Sequence, residues 1–336
     1  MDQRTSGDTV GSLRPIPAVL AIDIESDLRS GPPGTGVAAV GLERTHAFLS
    51  RLRPRLEDAT GRRVRFAWFV RMDPQTEAQA ERADGLVSAA RSTFAAIEAS
   101  DDRIGLHTHA GRWDAARRRW VADHADADWI DQCLAASFGA YAAAFGLPCR
   151  EHRFGDRFSS ESMYRQLDRL GAIVDLTPEP GLRGMRRSDP TADATGAIPD
   201  YRGWPKAPQR HSPDGPWTLP MSSTDPDQAL PPLHRVARRI VFAGQERNRP
   251  LTMERPLPTS GHFWELVERA LDEGAGHLAW AIRSDLSLTP RFERVGTILI
   301  DLLARPLAGR LAFGGGEDAL IGLGLLPRRE EVDPGA

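Results

Sequence analysis

Apolar runs alternate with segments of helical periodicity along most of this 336-residue chain. Seven or eight apolar, often β-branched runs predict strands, at Pro17–Ile24, Val64–Val70, Arg103–His109, Arg150–Gly155, Ala172–Leu176, Trp217–Met221, His277–Arg283 and Arg310–Phe313. Between them, apolar side chains at helical spacing predict helices at Leu42–Thr60, Thr76–Ala99, Asp126–Phe145, Ser160–Leu170, Gly261–Leu271 and Pro290–Leu303. Such alternation is typical of βα units that build a parallel sheet.

The same pattern indicates one domain. No internal repeat and no linker interrupts residues 15–326, and residues 1–14 and 327–336 are predicted to be flexible tails. Length alone would also allow two smaller domains. One stretch, Thr177–Pro216, breaks the alternation because it is rich in Pro, Gly, Asp and Arg. A loop of this length in a compact domain is usually either functional or disordered.

Composition narrows the range of partners. With 40% hydrophobic and 26% charged residues the chain is an ordinary globular protein, and its net charge of −3 argues against nucleic-acid binding. Cys133 and Cys149 are too few for a disulfide framework or a four-cysteine zinc site. No segment is long and apolar enough for a signal peptide or a membrane span. We therefore expect a cytoplasmic protein without a membrane partner, and the sequence indicates no particular oligomeric state.

Two acids follow the first predicted strand at alternate positions. Asp23 and Glu25 point to the same face, because side chains alternate along a strand. They stand at the carboxyl end of that strand, where a parallel barrel has its active site. One carboxylate there can bind a cation while the other takes a proton from water. The alternative is structural, with the acids capping the next helix or starting a turn.

Two histidines mark the end of the third predicted strand. His107 and His109, in Gly105-Leu106-His107-Thr108-His109, share a face and lie roughly 6.6 Å apart along the strand. Two imidazoles at this spacing suit one metal ion, with an acid from another strand as a further ligand. A lone histidine would more often be a packed or surface residue. The other histidines on helical or loop segments are interpreted as surface residues, namely His46, His124, His234 and His262.

Charged residues also mark two later strand ends. In Arg153-Phe154-Gly155-Asp156-Arg157, an arginine at the end of a strand can orient a carboxylate through its fixed fork of donors. The alternative is a solvated loop that caps the following helix at Ser159 or Ser160. Asp175 ends the next predicted strand with another acid.

Taken in order, these segments resemble the polysaccharide deacetylase superfamily, the NodB-homology or carbohydrate esterase family 4 type. The resemblance runs from about residue 17 to 320 and rests on Asp23 with Glu25, on Gly105-Leu106-His107-Thr108-His109, on Arg153-Phe154-Gly155 and on Leu170-Gly171-Ala172-Ile173-Val174-Asp175. The segments Trp68–Asp73 and Asp200–Pro205 look like those of an uncharacterised subgroup. The fold implied is α/β, a distorted (β/α) barrel of about seven parallel strands in a single domain.

The resemblance also implies an activity, the hydrolysis of N-acetyl or O-acetyl groups on sugars with one divalent metal ion. By analogy Asp23 is the general base, Arg153 tethers that base, and Asp175 supports the site. The implied metal ligands are Glu25, His107 and His109. Carboxylate and imidazole ligands suit zinc, with cobalt, nickel or iron as alternatives.

Three features depart from the usual pattern of the family. One residue, rather than three, separates the histidines, and Glu25 stands where an aspartate is usual. The late histidine that protonates the leaving group has no counterpart, because His277 opens its strand at the opposite end. Arg283 and Asp285 occupy the expected place. Arg283 is therefore a candidate substrate-binding residue, and the acid is left unassigned.

The stretch Thr177–Pro216 is predicted to cover the mouth of the barrel as a lid or substrate wall. It contains Tyr201, Arg202 and Trp204, which can stack on or bind a sugar and are candidate substrate-binding residues. The alternative is a surface loop without a role in binding.

We therefore expect a metal-dependent hydrolase that removes an acyl group, N-acetyl in the first place, from a sugar, an oligosaccharide or a sugar-containing small molecule. One alternative is a hydrolase of non-sugar amides that uses the same metal site. Another is a barrel without turnover that binds carbohydrate or acts as a scaffold. The amidohydrolase superfamily also uses His-x-His, but on its first strand, whereas His107 follows two earlier βα units.

Overall fold

The structure is a computed structural model of the chain, and it describes residues 14–187, 194–224, 249–253 and 259–328. The two predicted tails, 1–14 and 327–336, fall almost wholly outside these residues, and so does His234.

Strands and helices alternate through the described residues. The strands are β1 (Ile16–Ile24), β2 (Ala67–Val70), β3 (Arg103–Thr108), β4 (Gly111–Asp114), β5 (Arg119–Asp123), β6 (Glu151–Phe154), β7 (Val174–Asp175), β8 (Met185–Arg187), β9 (Ala194–Ile198), β10 (Gln209–Arg210), β11 (Trp217–Thr218), β12 (Ser223–Thr224), β13 (Arg249–Pro250), β14 (Leu278–Arg283) and β15 (Leu311–Phe313). The α-helices are α1 (Val40–Thr60), α2 (Pro74–Ala80), α3 (Gly85–Ala89), α4 (Arg91–Ala99), α5 (Ala127–Phe145), α6 (Glu161–Arg169), α7 (Ser260–Asp272), α8 (Arg291–Leu302) and α9 (Gly316–Leu323).

One curled sheet organises the molecule. Its strand order is β10-β11-β7-β6-β3-β2-β1-β14, with β15 also paired to β1, and every pairing is parallel except β10 with β11. After β11 the chain crosses from one side of the sheet to the other. The amide of Leu219 donates to the carbonyl of Asp175, and the amide of Ser222 donates to the carbonyl of Ala279, each at 2.9 Å. The sheet is therefore a distorted (β/α) barrel, as the sequence predicted.

Both faces of this sheet are buried. Val19 and Ala21 on β1 belong to a small apolar cluster with residues of β2, β7 and β14 inside the curl. Leu20 and Ile22 belong to the large cluster that the surrounding helices cover. Because side chains alternate, the interior row that begins with Val19 and Ala21 continues into Asp23. Asp23, the first acid of the predicted pair, thus lies inside the curl of the sheet, directly after the apolar side chains of Val19 and Ala21.

The predicted single helix over Thr76–Ala99 is wrong, since α2, α3 and α4 occupy that stretch. Helix α2 ends at Ala80, and the next residue, Glu81, adopts a left-handed backbone with φ of 59°. The amide of Gly36 donates to the carbonyl of Gln79 at 2.8 Å. A distant loop thus satisfies one of the carbonyls that the end of the helix leaves without an intrahelical partner.

A second, smaller sheet lies outside the barrel sheet and was not predicted. Its order is β4-β5-β9-β8. The antiparallel pair of β4 and β5 places Trp113 opposite Trp120, with their ring centroids 5.3 Å apart. Strands β8 and β9 come from Thr177–Pro216, so part of that stretch is sheet rather than loop.

Within the residues that the structure describes, no helix has the length and apolar character that crossing a bilayer requires.

Candidate metal centre

A cavity of about 320 Å³ opens where the parallel strands of the barrel end. Its wall includes residues at or just beyond the carboxyl ends of β1, β3, β6 and β14, the end at which parallel barrels bind their ligands. The charged and imidazole side chains that line it are Asp23, Glu25, Arg29, His107, His109, Arg153, Asp156, Arg157, Glu179, Arg283 and Arg291.

Glu25, His107 and His109 converge on one point of this cavity. The Oε1 of Glu25 lies 3.5 Å from Nε2 of His107 and 3.3 Å from Nε2 of His109. The two Nε2 atoms are 3.0 Å apart, and the ring planes are nearly perpendicular at 83°. In the described part of the chain, this is the single group of His, Cys, Asp or Glu side chains arranged to hold a metal ion.

The other nitrogen of each imidazole has its own partner. Nδ1 of His107 donates to the carbonyl of Arg153 at 3.1 Å, because a carbonyl can only accept. Nδ1 of His109 faces Oδ2 of Asp156 at 3.3 Å. A neutral imidazole that donates from Nδ1 presents its lone pair at Nε2. Both rings therefore have the oriented partners that metal-binding histidines have in proteins.

The distances among the three ligand atoms suit one small cation. Ligands about 2.0–2.1 Å from a tetrahedral zinc ion lie about 3.3 Å from one another. The observed separations of 3.0, 3.3 and 3.5 Å bracket that value. Three protein ligands on the wall of an open cavity also match catalytic zinc sites, which keep a fourth position free. The residues present thus fit a divalent metal.

Arg71 holds Glu25 from behind. Its Nη1 donates to Oε2 of Glu25 at 3.0 Å, while Nε and Nη2 donate to the two oxygens of Asp73 at 2.9 and 3.0 Å. All three side chains are buried. Burial opposes the ionised form of Glu25, but Arg71 and the two imidazoles hold its pKa well below the ordinary value. Glu25 therefore stays anionic and keeps Oε1 available for a cation.

Asp73 connects this pair to the histidines. It accepts a hydrogen bond from the amide of His109 at 3.0 Å and caps α2 by accepting from the amide of Thr76 at 3.1 Å. Burial opposes its ionised form, but Arg71 keeps the pKa of Asp73 lowered. One buried guanidinium thus positions a ligand from β1 and the backbone that carries a ligand from β3.

The environment of His109 favours its charged form in the absence of a cation. Burial and Arg71 both lower its pKa, but Asp156 and Glu25 outweigh them and raise the pKa of His109 to about 9. A metal ion that binds at neutral pH must therefore displace a proton from this ring.

The turn after β6 is shaped around His109. A Cβ atom on Gly155 would lie 2.2 Å from Nε2 of His109, so only glycine fits there without a shift of the ring. The next two residues, Asp156 and Arg157, adopt left-handed backbones with φ of 54° and 61°. Such a conformation is uncommon for residues other than glycine and has to be held by the surrounding structure. Here it aims Asp156 at Nδ1 of His109.

Asp23 lies beside the three ligands, and Arg153 holds it. Nε of Arg153 is 3.1 and 3.2 Å from the two oxygens of Asp23. The same guanidinium donates to the carbonyl of Leu176 at 2.7 Å and to Glu179 at 3.3 Å. Asp23 is 3.7 Å from Nδ1 of His107, whereas Glu25 faces Nε2. The expected contact between Arg153 and Asp23 is present. The two acids have different surroundings, since Glu25 faces the Nε2 atoms of both imidazoles and Asp23 is held by Arg153.

Asp175 does not reach the cavity. It is fully buried and accepts hydrogen bonds from Nδ1 of His152 at 2.9 Å and from Oγ1 of Thr177 at 2.5 Å. Its neighbours Val174 and Leu176 occupy the interior cluster instead. Since faces alternate along a strand, Asp175 points away from the interior and contacts the site only through the backbone that it supports.

Tyr201, Arg202 and Trp204 are not brought to the cavity either. The hydroxyl of Tyr201 is buried within hydrogen-bond distance of the Arg157 carbonyl, at 3.0 Å, and of the Ser159 hydroxyl, at 2.8 Å. Arg202 pairs with Asp200, and Trp204 packs edge-on against Tyr201 at 5.4 Å. Of the described residues in Thr177–Pro216, Glu179 alone lines the cavity. Arg283, in contrast, lines the cavity as expected.

The interpretation of His124 as a surface residue is wrong. Its ring is buried and stacks on Phe158 at 4.8 Å, with Nε2 3.7 Å from Oδ2 of Asp156. The segment between β5 and α5 carries no periodicity that reveals this burial, which arises from packing against the turn after β6. His277 lies at the amino end of β14, as expected, and its Nε2 donates to the carbonyl of Pro220 at 2.8 Å.

Besides the cavity-lining arginines Arg29, Arg157 and Arg291, sequence reasoning missed four residues that hold the metal ligands or Arg153 in place. Arg71 and Asp73 lie two residues apart just after β2, as Asp23 and Glu25 lie two residues apart at the end of β1. The alternation of side chains along a strand could therefore have pointed to both. Asp156 lies in a segment that the sequence singled out, but its role depends on the left-handed turn. Glu179 has no local signal, because its approach to Arg153 depends on the path of the chain after β7. The four missed supporting residues are thus Arg71, Asp73, Asp156 and Glu179.

No protein-family model matches the sequence, and comparison with curated proteins finds no match.

Several solved structures are similar to this chain overall. One is a protein from Mycobacterium smegmatis described as a polysaccharide deacetylase, with a TM-score of 0.46, 13% identity and coverage of 93% of this chain and 91% of that chain. Another is the Xyl-CE4 domain of a multidomain xylanase from the hindgut metagenome of Trinervitermes trinervoides, with a TM-score of 0.41, 9% identity and coverage of 94% and 95%. A third is a CE4 family pseudoenzyme from Bacillus anthracis, with a TM-score of 0.38, 10% identity and coverage of 87% and 65%.

Proposed function

We propose that this protein is a metal-dependent hydrolase that removes an acyl group, with N-acetyl as the first candidate, from a sugar or a sugar-containing small molecule. The observation that carries the proposal is the convergence of Glu25, His107 and His109 on one point. Asp23 stands beside that point, oriented by Arg153. The sequence motifs of the polysaccharide deacetylase type support a sugar as the carrier of the acyl group.

The side chains of the cavity divide the reaction between them. A divalent cation held by Glu25, His107 and His109 would polarise the acyl carbonyl and make water acidic enough to attack near neutral pH. As water adds to the carbonyl carbon, its proton passes to the carboxylate of Asp23. When the bond to the amine breaks, the same carboxyl group returns that proton to the departing nitrogen. Among the described residues no imidazole other than His107 and His109 lines the cavity, so both transfers are assigned to Asp23.

A matched pair of variants tests this division. Asp23→Asn keeps the shape but cannot accept a proton, so it should abolish acetate release while bound metal is retained. Glu25→Gln removes a ligand charge, so bound metal should fall together with activity. Asp168→Asn, an exposed carboxylate on α6, is the control and should change neither. Metal content after dialysis and acetate release from acetylated sugars and nucleotide sugars, each with added zinc, cobalt and nickel, are the measurements.

Two outcomes would contradict the assignment. Metal lost in Asp23→Asn and kept in Glu25→Gln would show that the roles of the two acids are exchanged. Full metal content and activity in both variants would show that these acids are structural, and the proposed function would fail.

Binding without turnover is the second candidate, favoured by Arg283. This arginine, rather than an imidazole, ends β14 at the cavity, so among the described residues nothing takes the place of the family's late histidine. Such a protein would bind acetylated sugars with its metal in place and release no acetate from any of them. Including ureides and N-acyl amino acids in the same screen tests the third possibility, a hydrolase of non-sugar amides.

A further inference from the structure

One wall of the cavity carries more positive charge than its neighbours balance. We call Arg29, Arg283 and Arg291 the arginine wall; all three line the cavity. The carboxylate of Asp285 lies near two of them. Its Oδ2 is 3.8 Å from Nε of Arg29, and its Oδ1 is 3.4 Å from Nε of Arg283. No ion pair of Arg291 is found among the described residues. Three guanidinium groups thus face the cavity with a single acid between them.

The ion pair between Arg283 and Asp285 is poorly formed. Its Nε atom is buried and has no hydrogen-bond partner within the described structure, and the same is true of Oδ1 of Asp285. The 3.4 Å separation of these atoms is therefore an electrostatic contact without hydrogen-bond geometry. Asp285 therefore neutralises Arg283 only weakly, and the charge of this guanidinium is left for another anion.

The opposite wall of the cavity is different, because its arginines are already occupied. Arg153 donates to Asp23 and Glu179, and Nε of Arg157 lies 2.9 Å from Oε2 of Glu179. Asp23 and Glu179 neutralise these two guanidinium groups, and Arg153 also orients Asp23. The surplus positive charge of the cavity therefore lies on the arginine wall and not around the base.

Strand register fixes how far this wall is from the reacting centre. Asp23 on β1 and Arg283 on β14 are direct partners in the parallel pairing. Neighbouring strands are about 4.8 Å apart, and paired residues face the same side of a sheet. A group bound by Arg283 is therefore within the span of one sugar ring from an acyl group beside Asp23.

We propose that the substrate carries an anionic group, a carboxylate or a phosphate, on the acylated sugar itself or on the atom next to it, and that the arginine wall binds this group. The planar fork of a guanidinium matches the oxygens of both anions. This inference rests on the proposed function for the acylated sugar and adds the charge of that sugar.

Calorimetric titration of the full chain tests the inference without depending on turnover. The probes are N-acetylglucosamine as the neutral sugar, its 6-phosphate, and N-acetylmuramic acid as the carboxylate. At least one anionic probe should bind about tenfold or more tightly than the neutral sugar, since hydrogen bonds to a charged group are roughly that much stronger. Arg283→Gln should abolish this preference and Arg283→Lys should restore part of it. Arg310→Gln removes an exposed arginine at the opposite end of the barrel and should leave the preference intact.

The results separate the carboxylate from the phosphate and this inference from the proposed function. Equal binding of all three probes, no binding of any, or a preference that survives in Arg283→Gln would overturn the arginine wall as an anion site. Acetate release from the neutral sugar, with no preference for the anionic probes, would support the proposed hydrolase and contradict the anion site. Anion binding that requires Arg283, with no acetate released from any probe at saturating metal, would instead support the wall and contradict the proposed hydrolase.

Discussion

Each end of the barrel interior buries a glutamate and a histidine, but these side chains have charged partners at the carboxyl end and mainly backbone partners at the amino end. At the carboxyl end, Glu25 lies against the Arg71 guanidinium, which with the two imidazoles keeps its pKa well below the ordinary value despite burial. At the amino end, Glu151 opens β6, and its partners among the described residues are the amides of Gly316 and Glu317 at the start of α9, which donate to it at 2.9 and 3.1 Å. Burial dominates there and raises the pKa of Glu151 to about 7.

The histidines show the same contrast. His109, with Asp156 and Glu25 beside it, has its pKa raised to about 9 although burial opposes this. His277 faces the carbonyl of Pro220, and burial lowers its pKa to about 4. The difference teaches that burial alone makes an interior group neutral and structural. Among the described residues, it is the carboxyl end that brings a carboxylate and two imidazoles together as candidate metal ligands.

The largest expected effect comes from removing the charge that sustains the carboxyl end. Arg71→Met leaves the buried carboxylates of Glu25 and Asp73 without their cation, so the free energy of unfolding should fall by about 3–5 kcal/mol. At the amino end, Arg103 pairs with Asp318 but is 38% exposed. Arg103→Met should therefore cost less than about 1 kcal/mol. Urea unfolding of both variants measures the difference, and similar losses would contradict the contrast between the ends.

Metal addition should stabilise the protein through the carboxyl end alone. With zinc at a hundredfold excess over its Kd, the wild type should gain about 3 kcal/mol, because the ion binds only the folded state. Glu151→Gln should gain as much, whereas Glu25→Gln should gain little. Thermal unfolding with zinc and with a chelator measures these gains. If zinc stabilises Glu25→Gln fully, the three side chains are not the binding site.

Stability should depend on pH through the amino end. Below the ordinary pKa of 4.5, Glu151 is protonated in both states, so folding is not penalised. Between 4.5 and about 7 the unfolded chain loses this proton while the folded chain keeps it, and stability falls. The wild type should therefore lose on the order of 2–3 kcal/mol more than Glu151→Gln when the pH rises from about 5 to 8.

Urea unfolding at both pH values measures that loss, and the difference between variant and wild type cancels the other titrating groups. Glu98→Gln, on the exposed face of α4, should follow the wild type. If Glu151→Gln also follows the wild type, Glu151 is not held neutral by its burial.

The smallest expected effect concerns the shape of the turn after β6. Gly155→Ala places a methyl group 2.2 Å from the His109 ring, so His109 must shift and metal affinity should fall about tenfold or more. Gly139 lies in α5 with no atom near its added Cβ. Gly139→Ala should leave metal affinity unchanged and stabilise the helix by about 0.5–1 kcal/mol. Competition with a chromogenic chelator measures both affinities, and equal values would show that the close approach at Gly155 has no consequence.

The sequence by itself determined the parts of the site that depend on local periodicity. Asp23 with Glu25 and His107 with His109 each share a face because a strand repeats every two residues. Parallel strands bring their carboxyl ends to the same edge, so the alternation of strands and helices was enough to place both pairs at one cavity. The contact of Arg153 with Asp23 was expected from the family resemblance together with the place of Arg153 at a strand end.

Tertiary structure decided which of these side chains meet and in what charge state. Glu25 rather than Asp23 faces both Nε2 atoms, and Arg71, which follows β2, holds the other oxygen of its carboxylate. Packing also determined where the side chains of Asp175 and Tyr201 point, which is away from the cavity and towards His152 and Ser159. A buried charge takes its partner from whichever segment the closed sheet brings within about 3 Å, and that choice depends on contacts far apart in the chain. Local periodicity carries no information about it.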